Sequence, residues 1–236
     1  MSGFDLSPFL SRLLAPSSPS GCSPVCESIH EFAEAMGHAI DAKDRCTHFH
    51  STQVAVLAQA VARFMGFSPL EAGCIHIAGH LHDIGKIGVP DAVLQKRGPL
   101  TEGEFAAIRR HPVIGHQIVS PITSLNGSTG IADMVLHHHE RWDGRGYPHG
   151  LAGTAIPAGA RVLAVADSFS AMTQQRPYRK GMGVRAALDE VEREAGSQFA
   201  PDVAEAFLRL AAPLLRDGAE PGASAFIERV ERRFAG

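Results

Sequence analysis

The sequence predicts an all-α fold, a compact multi-helix bundle. Three observations carry this reading. Apolar residues recur at helical spacing along most of the chain. Two capping boxes, Ser68-Pro69-Leu70-Glu71 and Thr101-Glu102-Gly103-Glu104, mark helix starts. No stretch alternates apolar and polar residues with hairpin chemistry, apart from a short pair in the loop near 141–156. The 236 residues are 44% hydrophobic and 20% charged, enough for a core and unlike a disordered or fibrous chain.

The elements follow in order. Residues 4–14 are predicted to form a short helix with Phe4, Leu6, Phe9, Leu10, Leu13 and Leu14 inward, and 15–24 read as a linker. From Val25 to Lys43, Ile29, Phe32, Ala33, Met36 and Ile40 keep helical spacing. From about Thr47 to Phe64, Val54, Leu57, Ala58 and Val61 form one stripe, and Gly66 is the stop. The helix opened by Ser68 runs to about His82, and the one opened by Thr101 runs toward His111. Further helices are predicted at about 112–122, 129–140, 158–174, 183–195, 201–215 and 223–234. The longest irregular stretch, Arg141 to Pro157, is long enough inside a helical domain to suggest a task.

Charge and cysteine usage narrow the partners. The formal charge of −3 disfavours duplex nucleic acid, and no run approaches the ~20 apolar residues of a membrane span. Asp5, with no basic residue before Arg12, does not resemble a signal peptide. Cys22, Cys26, Cys46 and Cys74 have no CxxC spacing and read as reduced thiols, so the expected location is cytoplasmic. The thirteen histidines, against two Tyr and one Trp, point to a metal site.

His82-Asp83 is the centre of that argument. Upstream lies His50; downstream lie His111, the run His137-His138-His139-Glu140, and Asp167. Successive steps of 32, 28, 27 and 28 residues (His50 to His82, Asp83 to His111, His111 to His138, His139 to Asp167) each match a helix and a return. Each ligand would then come from a different helix facing one centre. Five His and two Asp exceed one metal's needs and suit two metals sharing a bridging carboxylate. Mixed N/O donors suit iron, manganese or zinc rather than calcium or Cu(I). His76 and His80 stand i,i+4 on one helix but read as an incidental pair.

Longer motifs add a resemblance. Asp44-Arg45-Cys46-Thr47-His48-Phe49-His50-Ser51 resembles the opening motif of the HD-GYP domain, D-x-[YE]-T-x-x-H-S. His82 to Pro90 is similar to its HDIGKIGVP segment, and His111-Pro112-x-x-Gly115 to its HPxxG. His138 to Pro148 resembles HHERxDGxGYP; Ala166-Asp167 and Arg176-Pro177-Tyr178-Arg179 resemble ADxxDA and RPYR. The motifs run in order over about 41–210, most of the chain.

That resemblance implies a bacterial metal-dependent phosphodiesterase of the HD-domain type, hydrolysing cyclic di-GMP to linear pGpG and/or GMP. Some members of the family prefer 3′,3′-cyclic GMP-AMP. It implies that His50, His82, Asp83 and Asp167 hold one metal and His111, His138 and His139 the second, with Asp83 bridging. The pair is expected to be Fe or Mn, with Zn or Ni as alternatives. Asp83 and Lys86 are the implied catalytic residues, Lys86 beside the scissile phosphate. Gly146, Tyr147 and Pro148 would border the pocket, and Arg176 and Arg179 would meet phosphate or guanine. Two cations ~3.5–4 Å apart acidify a shared water enough to supply hydroxide near neutral pH for attack on phosphorus. The division implied is 1–40 as an N-terminal helical extension and 41–236 as the catalytic domain with its C-terminal helices.

Three positions depart from the pattern. Cys46 stands where three-metal members have Glu, so a third metal is not expected. Ser170 replaces the second Asp of ADxxDA, and Gln53 stands where Arg is common. These departures keep a non-catalytic reading open: a regulator that binds a cyclic dinucleotide or a partner such as a diguanylate cyclase domain. A phosphohydrolase for another nucleotide, a di-iron oxygenase and a homodimer built on the N-terminal helices also stay open.

Overall fold

The computed structural model describes residues 24–44, 49–175, 181–215 and 221–234. The predicted 4–14 helix and most of the linker, Cys22, Cys46, Arg176 and Arg179 lie outside them, as does the side chain of Cys26. Eleven α-helices are present among the described residues: α1 Pro24–Lys43, α2 His50–Phe64, α3 Pro69–Leu81, α4 Asp91–Leu94, α5 Glu102–Ile108, α6 His111–Val119, α7 Ile131–His137, α8 Ala158–Thr173, α9 Val184–Arg193, α10 Pro201–Ala211 and α11 Ala223–Phe234. Among the described residues no helix is long and apolar enough to cross a membrane. In place of the short strand pair there is one isolated antiparallel bridge, Asp143 to Ala152.

Helices α2, α3 and α8 form the centre. The predicted α2 stripe is fully inward: Val54, Leu57 and Ala58 have no exposure and Val61 has 1%. Phe169 of α8 packs edge-on against Phe207 of α10 and tilted against Phe226 of α11, with centroids 5.0 and 5.4 Å apart. These rings tie the C-terminal helices to the helix that carries Asp167. Both predicted capping boxes form, Ser68 with Glu71 and Thr101 with Glu104.

Two helix ends differ from the periodicity for physical reasons. α7 stops at His137 rather than near 140, because buried Glu140 turns to accept the backbone N–H groups of His149 and Leu151. α2 starts at His50, not near Thr47, after Phe49 in the left-handed region at φ 58° and with no cap of its own. Its cap comes from α1: Asp41 accepts from the Ser51 N–H at 3.1 Å and the Ser51 hydroxyl at 2.9 Å.

A short 3₁₀ turn, Ile84–Gly88, carries the chain from α3 to α4 and lies on the start of α6. Gly85 makes that contact. A Cβ there would lie 1.9 Å from the His111 carbonyl oxygen and 2.5 Å from the Gly115 nitrogen. Both are backbone atoms with no room to yield. Gly85→Ala is therefore expected to cost ~3 kcal/mol or more and to displace His111. Thermal unfolding with metal analysis checks this; an unchanged melting temperature and metal content would contradict the packing argument.

Candidate metal centre

Five helix ends or helix faces converge on one point. His50 opens α2, His82 follows α3, His111 opens α6, His138 and His139 follow α7, and Asp167 lies within α8. Two groups of donors result: Asp83, His111, His138 and His139; and His50, His82 and Asp167, with the donor atoms of each group within 4.8 Å of one another.

Asp83 faces both groups. Its Oδ1 lies 3.2 Å from His111 Nε2, and its Oδ2 lies 3.4 Å from His82 Nε2. Asp167 likewise spans its surroundings, with Oδ1 3.1 Å from His50 Nε2 and Oδ2 4.0 Å from His139 Nδ1. Three of the imidazoles are aimed by their own backbone. The Nδ1–H of His82, His111 and His138 donates to the carbonyl three residues upstream, at 2.7, 2.8 and 2.7 Å. A carbonyl only accepts, so each Nδ1 keeps its proton and each Nε2 lone pair points inward.

The electrostatics ask for a cation. Burial alone would lower His82, but the charges of Asp83 and Asp167 carry it up to about 9. Its Nε2 is buried without a hydrogen-bond partner. That is the environment of an atom meant to bind either a proton or a metal. Burial opposes ionisation of Asp83 and Asp167, but their surroundings hold both well below the usual carboxylate range: the charges of Lys86, then His82, at Asp83, and the His50 side chain 3.1 Å away, then the charge of His82, at Asp167. Burial keeps His111 and His138 low and puts His139 at about 3, so these imidazoles stay neutral, as metal donors must. The donor chemistry therefore fits divalent metal.

The same shifts set a stability profile for the chelator-stripped chain. An unfolded histidine near 6.5 takes up protons that folded His139 refuses down to about 3, so acidification through that window removes stability. His82 acts with the opposite sign: its contribution is complete below 6.5 and is lost as pH rises through about 9. A melting-temperature series is expected to peak near pH 6.5 and fall on both sides; a monotonic rise into alkaline pH would contradict this.

Lys86 sits in the 3₁₀ turn with its ammonium 2.7 Å from Asp83 Oδ2 and 2.8 Å from Asp44 Oδ2. The two carboxylates outweigh burial and raise its pKa, so it stays charged. Three described residues of the opening motif thus have places: Asp44 holds Lys86, His50 faces Asp167, and Ser51 donates to Asp41.

The departures at Ser170 and Gln53 prove to be one arrangement. His50 Nδ1 lies 2.9 Å from the Ser170 oxygen, and the Ser170 hydroxyl donates to Gln53 Oε1 at 2.9 Å. With its proton committed to Gln53, Ser170 accepts the His50 Nδ1–H and leaves Nε2 facing Asp167. A neutral pair stands where the family pattern has charged groups, and His50 keeps its orientation. Ser170→Ala is expected to weaken metal binding at the His50 group ~10–100-fold, measured by competitive chelator titration. Unchanged affinity would remove Ser170 from that role.

The loop after His139 is packed by its own motif. Arg141 grips Asp143 through two bonds, at 3.1 and 2.9 Å, and donates to Gln198 at 3.0 Å. Gly146 lines the cavity beside His139 and also permits this packing: a Cβ would lie 2.3 Å from the Arg141 nitrogen and 2.6 Å from the His139 carbonyl oxygen. Tyr147, followed by a cis bond to Pro148, lays its ring against His139 at 4.8 Å. The Arg109 guanidinium covers the Tyr147 ring at 4.5 Å. Gly146, Tyr147 and Arg109, but not Pro148, border a cavity of about 230 Å³ open to His138 and His139, with Arg145 and Gln198 on its wall. Arg109, Gln198 and Asp41 were not among the expected site residues. Arg109 stands two positions before His111, but neither its charge nor its spacing distinguishes it from a surface arginine. His137 turns away from the centre and pairs with His149 at 3.1 Å.

Two carboxylates and five imidazoles of this kind make the donor set of a divalent-metal site in a helical frame. The HD domain family profile matches residues 34–203. A cyclic di-GMP phosphodiesterase of Thermotoga maritima is 42% identical over 182 residues, covering 77% of this chain and 49% of that protein. The 3′3′-cGAMP-specific phosphodiesterase 1 of Vibrio cholerae is 36% identical over 168 residues, covering 71% and 38%. The solved structure of a V. cholerae cyclic GMP-AMP-specific phosphodiesterase superposes with a TM-score of 0.60 at 17% identity, over 86% of this chain and 53% of that one, which shows the shared fold. The chain belongs to the HD domain family, in its HD-GYP branch. It spans about half the length of the curated relatives it matches first.

Proposed function

We propose that this chain is a metal-dependent phosphodiesterase that opens the ring of a cyclic dinucleotide, cyclic di-GMP first, giving linear pGpG and/or GMP. The observation that carries this is the single carboxylate of Asp83 with one oxygen toward each of two donor groups. Under this reading His50, His82, Asp83 and Asp167 hold one divalent ion and His111, His138 and His139 the other, with Asp83 shared. Iron or manganese suits the mixed imidazole and carboxylate donors. Bound there, the ions supply Lewis acidity toward a phosphoryl oxygen and lower the pKa of water.

The chain's own residues do the rest. Lys86, held charged between Asp44 and Asp83, faces the charge that develops on phosphate oxygens. Burial, then the charges of Asp167 and Asp83, raise the Tyr147 phenol, so it stays protonated, with an O–H to offer a substrate oxygen. Arg109 and Arg145 bring positive charge to the cavity beside His139, where the net charge of −3 would otherwise repel a dinucleotide. Arg176 and Arg179, in the segment that follows α8, complete phosphate or guanine recognition in this proposal.

The oriented His50 favours catalysis over a degenerate regulator, because the Ser170 departure preserves the hydrogen bond that aims it. The test is anaerobic incubation of the Fe(II)- or Mn(II)-loaded chain with cyclic di-GMP, 3′,3′-cyclic GMP-AMP and a simple phosphomonoester, products separated by chromatography. Ring opening of a cyclic dinucleotide, abolished by chelator, is the expected result. Binding without turnover under every metal, or preference for the monoester, would overturn the proposal.

A further inference from the structure

A second set of imidazoles converges away from this centre. His30 comes from α1; His76 and His80 come from α3, one turn apart. His30 Nε2 lies 2.8 Å from His76 Nε2, and His76 Nε2 lies 3.3 Å from His80 Nε2. The three rings pack at centroid distances of 4.9, 5.6 and 4.8 Å. In sequence, His76 and His80 read as an incidental pair; the third imidazole, delivered 46 residues away by another helix, changes that reading.

We propose that His30, His76 and His80 form a separate site for Zn(II) or a similar nitrogen-preferring divalent transition metal. Four-coordinate zinc with Zn–N bonds of ~2.0–2.1 Å spaces its ligands ~3.3 Å apart. The His76–His80 Nε2 separation of 3.3 Å equals that spacing, and the His30–His76 pair, hydrogen-bonded at 2.8 Å, lies inside it and opens slightly when an ion replaces the shared proton. The same ring nitrogen is presented by all three residues, and no carboxylate belongs to the group. An all-imidazole set suits zinc, copper or nickel and disfavours magnesium, calcium and manganese. His80 is 2% exposed and His30 is half-buried, so the cluster is shielded on the α3 side and reachable along α1. Three protein ligands leave a fourth position for water.

The site would brace the candidate centre. α1 carries Asp41, which caps α2 beside His50, and is followed directly by Asp44, which holds Lys86. An ion joining His30 to α3 fixes α1 against the helix that leads into His82-Asp83. A ligand that binds only the folded state stabilises it in proportion to its occupancy.

The test uses the full chain with His30→Gln and His76→Gln beside the wild type. Each protein is stripped with chelator, reloaded with Zn(II), dialysed and analysed for metal. Wild type is expected to retain about one zinc per chain more than either variant, and both variants are expected to lose part of the zinc-induced rise in melting temperature that wild type shows. Substituted with Co(II), wild type should show the strong visible bands of four-coordinate cobalt, absent from both variants. Equal zinc content in all three proteins would overturn the proposal. So would a wild-type cobalt spectrum without four-coordinate bands, a readout that stands even where a variant folds poorly.

Discussion

Asp83→Ala is expected to lose both divalent ions of the candidate centre and to reduce cyclic di-GMP hydrolysis by at least ~10³-fold. The magnitude follows from what the carboxylate touches. One oxygen faces His111 and the other faces His82 and Lys86, so its removal opens both donor groups at once. It also leaves buried positive charge with less compensation, which costs ~3–5 kcal/mol when one partner of a buried pair is deleted. Removal of a single pre-aimed stabilising group already costs ~10²–10³ in rate, and here the group holds the whole arrangement. Metal analysis and turnover on the same preparation check this. A fully metal-loaded Asp83→Ala protein would refute the shared-carboxylate assignment.

Lys86→Ala is expected to separate binding from rate. The imidazoles and Asp167 do not depend on the Lys86 ammonium for their orientation, so the ions should stay. Turnover should fall ~10²–10³-fold, the usual effect of losing one fixed charge aimed at a transition state. The variant also leaves Asp44 and Asp83 without the cation that lies 2.8 and 2.7 Å from them. A stability loss is therefore expected, and Asp44→Asn combined with Lys86→Ala should recover part of it. Metal content and rate measured on both proteins decide the matter. Unchanged turnover in Lys86→Ala would remove it from the mechanism, and loss of metal would make it a support for Asp83 instead.

Much of this was legible in the sequence, and the reason is mechanical. A histidine at a helix end carries its position in its spacing, so steps of about 28 residues already placed one donor per helix. Capping boxes at Ser68 and Thr101 are local chemistry and formed as read. The parts that could not be read depend on contacts between distant elements. Asp41 is an acidic residue on an amphipathic helix until α1 lies against the start of α2; burial then raises its pKa even as Ser51 hydrogen-bonds it. Ser170 and Gln53 are 117 positions apart and look like two separate losses until one hydroxyl is seen donating to the other's amide. Gly146 stands on the cavity wall, but that the chain's own Glu140 and Arg141 backbone also passes too close for a Cβ there could not be read from the motif. His30 offered no motif, and only the packing of α1 on α3 brings it to His76.

The central claim, two ions acting together through Asp83, is tested most directly by titrating metal against rate. The chain is stripped of metal and Mn(II) is added in sub-stoichiometric steps under anaerobic conditions. Manganese is chosen because the all-nitrogen His30 group disfavours it. At each step, bound metal per chain and the initial rate of cyclic di-GMP ring opening are measured together. The rate is predicted to stay low through the first equivalent and to rise with the second. Full rate at a single bound ion, or a rate that ignores metal altogether, would contradict the account.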